Sequence, residues 1–142
     1  MGRSVPSSFY GGLFNGFREI HCLCYALYAV GIAVVIFLLS AQSKLPIPPS
    51  ISFPGLDKLL HACAFGGLAF ALSFWFSADA WSAKPLKYAI FVCCIAACYG
   101  VSDEIHQIFV PGRDASIYDW FADCTGAVLA VTFRVGLMKF RS

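Results

Sequence analysis

The stretch Tyr99–Ser116, YGVSDEIHQIFVPGRDAS, places Asp103, Glu104, His106 and Arg113 directly behind an apolar run. Two other segments carry similar residue types: Asp57 and His61 in DKLLH, and Asp119 and Asp123 in YDWFAD. Carboxylates beside imidazoles can move a proton, with Glu104 or Asp57 as the base and His61 or His106 as the shuttle. Arg113 carries a planar fork suited to a carboxylate or a phosphate. Asp57, Asp103 and Glu104 offer oxygen ligands of the kind that Mg²⁺ or Ca²⁺ takes, and such an ion would let an anionic substrate approach so acidic a surface. Zinc through His61 and His106 is the alternative, although the spacing is not that of a zinc motif. The chain contains no Ser/His/Asp order, no phosphate loop and no H-E-x-x-H.

The spacing says which of these residues share a surface. Asp57 and His61, Asp103 and Gln107, and Asp119 and Asp123 are each one helical turn apart, and His106 is three residues from Asp103. Three helix ends then present polar stripes. Ionisable residues at the ends of lipid-soluble helices normally face the bundle interior or a wet cavity. Each residue taken singly has a plainer reading. His61 would be a hydrogen-bonded core histidine, Asp103 or Glu104 would solvate a helix end, and Arg113 would pair with Asp114 or a lipid headgroup. Grouping on three helices is what favours a functional site. Pro111-Gly112 signals a turn, and Ser116 is a helix cap with Asp119 in the capping-box position, where the helix dipole also favours it.

The elements that position these residues are apolar. The chain is 59% hydrophobic and only 13% charged, with a mean hydropathy of +0.74, well short of the roughly one-quarter charged residues of a soluble domain. A net charge of +2 without a basic run argues against nucleic acid as a partner. The seven cysteines sit in or beside apolar segments, where they pack as small hydrophobes rather than forming a disulfide framework. Spans are expected at about 22–40, 59–78, 86–107 and 118–138. The first is read as a retained anchor, because Ser40-Ala41-Gln42 is a poor cleavage site. The last is bracketed by Asp119, Asp123 and Arg134, so its insertion depends on its neighbours, with Gly126 and Ala130 permitting close approach. Gly31, Gly66 and Gly67 carry the same expectation. The loop AQSKLPIPPSISFPG reads as an extended strap.

An even number of spans puts both termini on one side. Arg3, Arg18, Lys84, Lys87, Arg134, Lys139 and Arg141 fall there, against Lys44, Lys58 and Arg113 opposite, so the termini are expected to be cytoplasmic. The fold class is an all-α polytopic bundle of four transmembrane helices, residues 1–21 forming a cytoplasmic N-terminal segment and 22–142 the transmembrane domain. The polar stripes, with most of the acids, then face outward.

Two blocks, PGLDKLLHACAFGGLAFAL and YGVSDEIHQIFVPGRDASIYDWFADCTGAVLA, resemble the VanZ-like family of small bacterial membrane proteins. Asp57 and His61 match its D-K-x-x-H element, Glu104, Gln107, Pro111, Gly112, Arg113 and Asp119 its E-x-x-Q…P-G-R…D element, and Gly126 its closing glycine. Asp123 stands where the family generally has asparagine, and Phe65 where a tyrosine is common. The resemblance implies the bacterial cytoplasmic membrane and a link to reduced teicoplanin susceptibility, without an agreed reaction. It adds Gln107 and Asp119 to the candidate catalytic set of Asp57, His61, Glu104 and Arg113; Arg113, His106 and Asp123 are the candidate substrate contacts.

The leading expectation is a protein that acts on or binds an envelope lipid or lipid-linked precursor. The alternatives are a non-catalytic lipid-binding or transport protein, which with so few helices would require a homo-oligomer, and a structural role in which the cluster only locks helices together. Whether the chain is an enzyme is not decided by its sequence.

Overall fold

A computed structural model describes residues 7–44 and 48–140, with side chains for residues 23–44, 48 and 50–140. Every regular element among them is helical. Helix α1 spans Ser7–Ser40 and α2 spans Leu56–Leu72, with a 3-10 turn at Pro49–Ile51 between them. A second 3-10 turn, Ser73–Trp75, leads to the short α3, Ala78–Ala83. Helix α4 spans Pro85–Gln107 and α5 spans Ile117–Lys139. Four stretches are long and apolar enough to cross a membrane: Leu23–Ser40, Leu56–Trp75, Pro85–Gln107 and Ile117–Lys139. The expected all-α, multi-pass architecture is therefore present. Arg3 and Arg141 of the charge bias, and Pro46 of the strap, lie outside the described residues.

The first span, Leu23–Ser40, agrees with the expected 22–40, and the helix that carries it extends back to Ser7, with no proline between Ser7 and Ser40 to stop it. One helix end differs from expectation. Helix α2 stops at Leu72, although the apolar run continues. The Ser73 hydroxyl donates to Phe70 O at 2.6 Å, and the fully buried Trp81 donates its indole N–H to Ser73 O at 2.9 Å. Phe76 is extended, and Ser77 caps α3 by accepting from Ala80 N–H at 3.2 Å. Local side-chain bonding to the backbone thus ends the helix where hydropathy would continue it.

The inward stripes have a common design. On α4 the buried positions are Val92, Ala96, Gly100, Asp103 and Gln107. On α5 they are Asp119, Asp123, Gly126, Ala127 and Val131. Both stripes follow helical periodicity, apolar or small along most of the bundle and polar at one end. Large side chains such as Leu27, Phe91, Leu129 and Phe133 point outward, as a lipid-facing surface requires.

Without a hydrophobic force between helices in lipid, close packing and hydrogen bonds hold them. Helices α2 and α5 touch backbone to backbone. A Cβ built on Gly126 would collide with the Ala62 carbonyl, and one on Gly66 would lie 3.1 Å from Gly126 O. Gly31 and Gly67, expected to allow similar approaches, face open space. Tyr99 on α4 donates its hydroxyl to Ala33 O on α1 at 2.6 Å, and Trp120 on α5 donates to Ala97 O on α4 at 3.0 Å. The substitution Tyr99→Phe is expected to cost about 1 kcal/mol, the net worth of one such bond, read as a lower midpoint in a thermal melt in detergent. An unchanged melt would remove this bond from the forces joining α1 to α4.

Candidate functional site

The polar ends of all the long helices meet. Helices α1 and α4 finish at this end with Ser40 and Gln107, and α2 and α5 begin there with Leu56 and Ile117. The connection from α4 to α5 is shaped by its sequence. Arg113 N–H donates to Val110 O at 3.1 Å, closing a turn with Pro111 and Gly112 in the middle. Gly112 has φ +81°, so the turn is of the type II kind that Pro followed by Gly encodes. It delivers Arg113 to the end of α1, where Nε donates to Gln42 O at 2.9 Å and Nη2 to Leu39 O at 3.1 Å. Leu39 O also accepts from Gln42 N–H at 3.2 Å, and a cation at a helix C-terminus suits the dipole. Ser116 then caps α5, accepting from Tyr118 N–H at 3.3 Å.

Three linked groups of side chains occupy this end. Asp103 Oδ2 accepts from Ser40 Oγ and from Gln107 Nε2, each at 2.9 Å, in a buried setting that joins α1 to α4. Lys58 lies 2.7 Å from Asp57 and 3.0 Å from Asp119, joining α2 to the first turn of α5. His61 Nδ1 lies 2.9 Å from Oδ1 of Asp123, whose side chain is completely buried. Glu104 adjoins this last pair: Oε2 accepts from Ser116 N–H at 2.7 Å, and Oε1 is buried with no partner among the described residues.

The sequence-derived candidates therefore divide. His61, Glu104 and Asp123 converge, with donor atoms within 4.8 Å of one another. Gln107 and Asp119 are buried at the same end but bond to Asp103 and Lys58. Asp57, Asp103 and Glu104, grouped from sequence as cation ligands, are each engaged with different partners. His106 stacks on Phe37 of α1 with ring centroids 4.5 Å apart, and its buried Nε2 has no partner among the described residues. Phe65, where the resemblance favours tyrosine, lies parallel to the His61 ring at 6.3 Å between centroids. Two participants were not singled out in the sequence. Ser40 is the polar residue closing the first apolar run, and Lys58 is the one cation inside the D-K-x-x-H element; both positions were visible signals.

A cavity of about 510 Å³ opens at this end between α1, the strap and α2. Lys44, Asp57, His61, Asp103 and Arg113 give it polar walls, and Phe53, Leu60 and Phe65 apolar ones. It adjoins an apolar groove of about 760 Å³ that runs along α1 and α2, the two sharing the lining residues Ile36, Leu39, Leu60 and Ala64. The combined space has the form of an amphiphile, a polar head against a long apolar body. A family model described as VanZ/LLP1 matches residues 23–138. No curated protein and no solved structure matches the chain.

Proposed function

The chain belongs to the VanZ/LLP1 family, and from that premise we propose that it binds an anionic lipid or lipid-linked precursor of the bacterial envelope at the outer face of the cytoplasmic membrane. The observation that carries this reading is the adjacency of the polar cavity to the apolar groove, which share four lining residues. Lys44 and Arg113 would receive a phosphate or carboxylate on the headgroup, and the groove would take an acyl or isoprenoid chain. The nearby acids are partly offset: Lys58 pairs with both Asp57 and Asp119, and Asp103 turns its carboxylate toward Ser40 and Gln107. Holding a lipid-linked precursor in this way would alter what a glycopeptide meets outside the cell, which gives the teicoplanin association a physical route.

Catalysis through Asp57 is disfavoured, because its carboxylate is paired with Lys58. Arg113 donates through Nε and Nη2 to the Gln42 and Leu39 carbonyls and has further N–H donors for a headgroup. The outward orientation rests on the charge bias, and a tag at Ala83 is expected to report the cytoplasm.

Native mass spectrometry of protein extracted gently from its own membrane tests the assignment. One class of anionic lipid is expected on the wild type. Removing the headgroup contacts in a Lys44→Gln, Arg113→Lys double variant should lower its retention by about tenfold, since a charge-assisted bond is worth about 1.5–3 kcal/mol. Equal retention by folded wild type and variant, or a mixture that merely mirrors the bulk membrane, sinks the proposal.

A further inference from the structure

We infer that His61, Glu104 and Asp123 form a binding site for one divalent first-row cation, Zn²⁺ or Mn²⁺, set between α2, α4 and α5. Each helix contributes one ligand, and the donor atoms all lie within 4.8 Å of one another. Donors that share an ion at about 2.1 Å lie roughly 3.0–3.4 Å apart in tetrahedral or facial octahedral geometry, so the widest pair closes by up to about 1.5 Å on loading, within reach of side-chain rotation.

The second observation is what the carboxylates lack. Asp123 is completely buried, yet its Oδ2 has no hydrogen-bond partner among the described residues. The same is true of the buried Oε1 of Glu104. Asp123 Oδ2 points toward Gly100, where a Cβ would come within 2.9 Å of it. Gly100 is one turn before Glu104 on α4, which places Asp123 Oδ2 against the helix that carries Glu104. Buried acceptors are ordinarily satisfied, by protein, by ordered water or by an ion, and two orphaned carboxylate oxygens beside one imidazole suit an ion.

Charge is compatible with the site. A divalent cation would cancel the charge of two ionised carboxylates beside a neutral imidazole, as protonation of His61 together with one carboxylate also would. Uncompensated charge is costly at this depth in an apolar bundle. The ligand types select the metal. An imidazole with two carboxylates suits Zn²⁺ or Mn²⁺ better than Mg²⁺ or Ca²⁺, which prefer oxygen throughout. The supporting shell is present as well, because Ser116 N–H fixes Glu104 Oε2 at 2.7 Å and the capped start of α5 thereby orients the ligand. In the metal-free protein the 2.9 Å contact between His61 Nδ1 and Asp123 Oδ1 holds the pair together, and loading exchanges it for the ion.

This site stands whether or not the cavity binds lipid, and its test uses the metal alone. Untagged full-length protein in detergent is stripped with chelator, reloaded with Zn²⁺ or Mn²⁺, and passed through a desalting column before elemental analysis. One bound ion per chain is expected, with affinity lowered at least tenfold in Asp123→Asn and in Glu104→Gln that elute as folded protein. No stoichiometric ion, or equal affinity in the folded variants, overturns the site. If the variants do not fold, the wild type still decides, because Mn²⁺ held here shows one imidazole nitrogen coupling in its pulsed EPR spectrum. A spectrum with oxygen ligands only overturns the inference. Lipid retention measured on the chelated protein separates failure of this site from failure of the lipid reading.

Discussion

Gly126→Ala is expected to yield a protein that no longer survives extraction as a folded monodisperse species, with a loss of about 3 kcal/mol or more. The added methyl would meet the Ala62 carbonyl carbon at 2.7 Å and its Cα at 2.9 Å, and would collide outright with the oxygen. These are backbone atoms and have no rotamer to change. Relief requires α2 and α5 to separate, and separation breaks the His61–Asp123 contact one turn away. The control is Gly136→Ala on the same helix, where nothing lies within 4 Å of the added group. Alanine is the better helix former by about 1 kcal/mol, so this variant should melt at or above the wild type. Size-exclusion profiles after stepped heating report both. Equal melting of Gly126→Ala and wild type would mean that the two helices do not meet at this register.

Asp103→Ala is expected to be the most damaging change within the polar end, at about 2–5 kcal/mol. It leaves Ser40 Oγ and Gln107 Nε2 without their acceptor, and each buried orphan costs about 1–3 kcal/mol. Asp103→Asn should be far milder, because the amide oxygen can accept both bonds. Adding Ser40→Ala to Asp103→Ala removes one orphan and should restore about 1 kcal/mol, a non-additivity that a thermal double-mutant cycle measures. Strict additivity would show that the bond from Ser40 contributes nothing. Because Ser40 and Asp103 also line the cavity, the alanine variant should lose bound lipid even where it remains folded.

The apolar periodicity and the scarcity of charge announced the bundle, and the one-turn spacings announced which polar residues share a helix face. Asp103 with Gln107 is such a pair and is bonded as the spacing suggests. Partners on different helices were not legible in the same way. His61 meets Asp123 because Gly126 brings α2 against α5 at one register, and register between helices has no local signature. Arg113 was read toward anions, but its strongest contacts are carbonyls of α1. A backbone acceptor is present at every residue and so marks none in the sequence. His106 was grouped with the acids by its spacing from Asp103, yet its ring lies on Phe37. Three residues along a helix is about 60° from a full turn, enough to send two side chains to different neighbours. The end of α2 was misjudged for a related reason, since it is set by Trp81, which reaches back to Ser73 O from a different helix.

The apolar groove shared with the cavity through Ile36, Leu39, Leu60 and Ala64 has a consequence for selectivity. A chain that leaves the bilayer for this groove exchanges one hydrocarbon environment for another and gains almost nothing from water. Discrimination among membrane lipids then falls to the headgroup, and chain length is read only through fit. A water-soluble analogue carrying the same chain would gain about 0.8 kcal/mol for each methylene it buries. Its apparent preference for longer chains would be set by the solvent it leaves. For the proposed lipid site, competition inside a bilayer, measured in mole fractions, is therefore where specificity would be read.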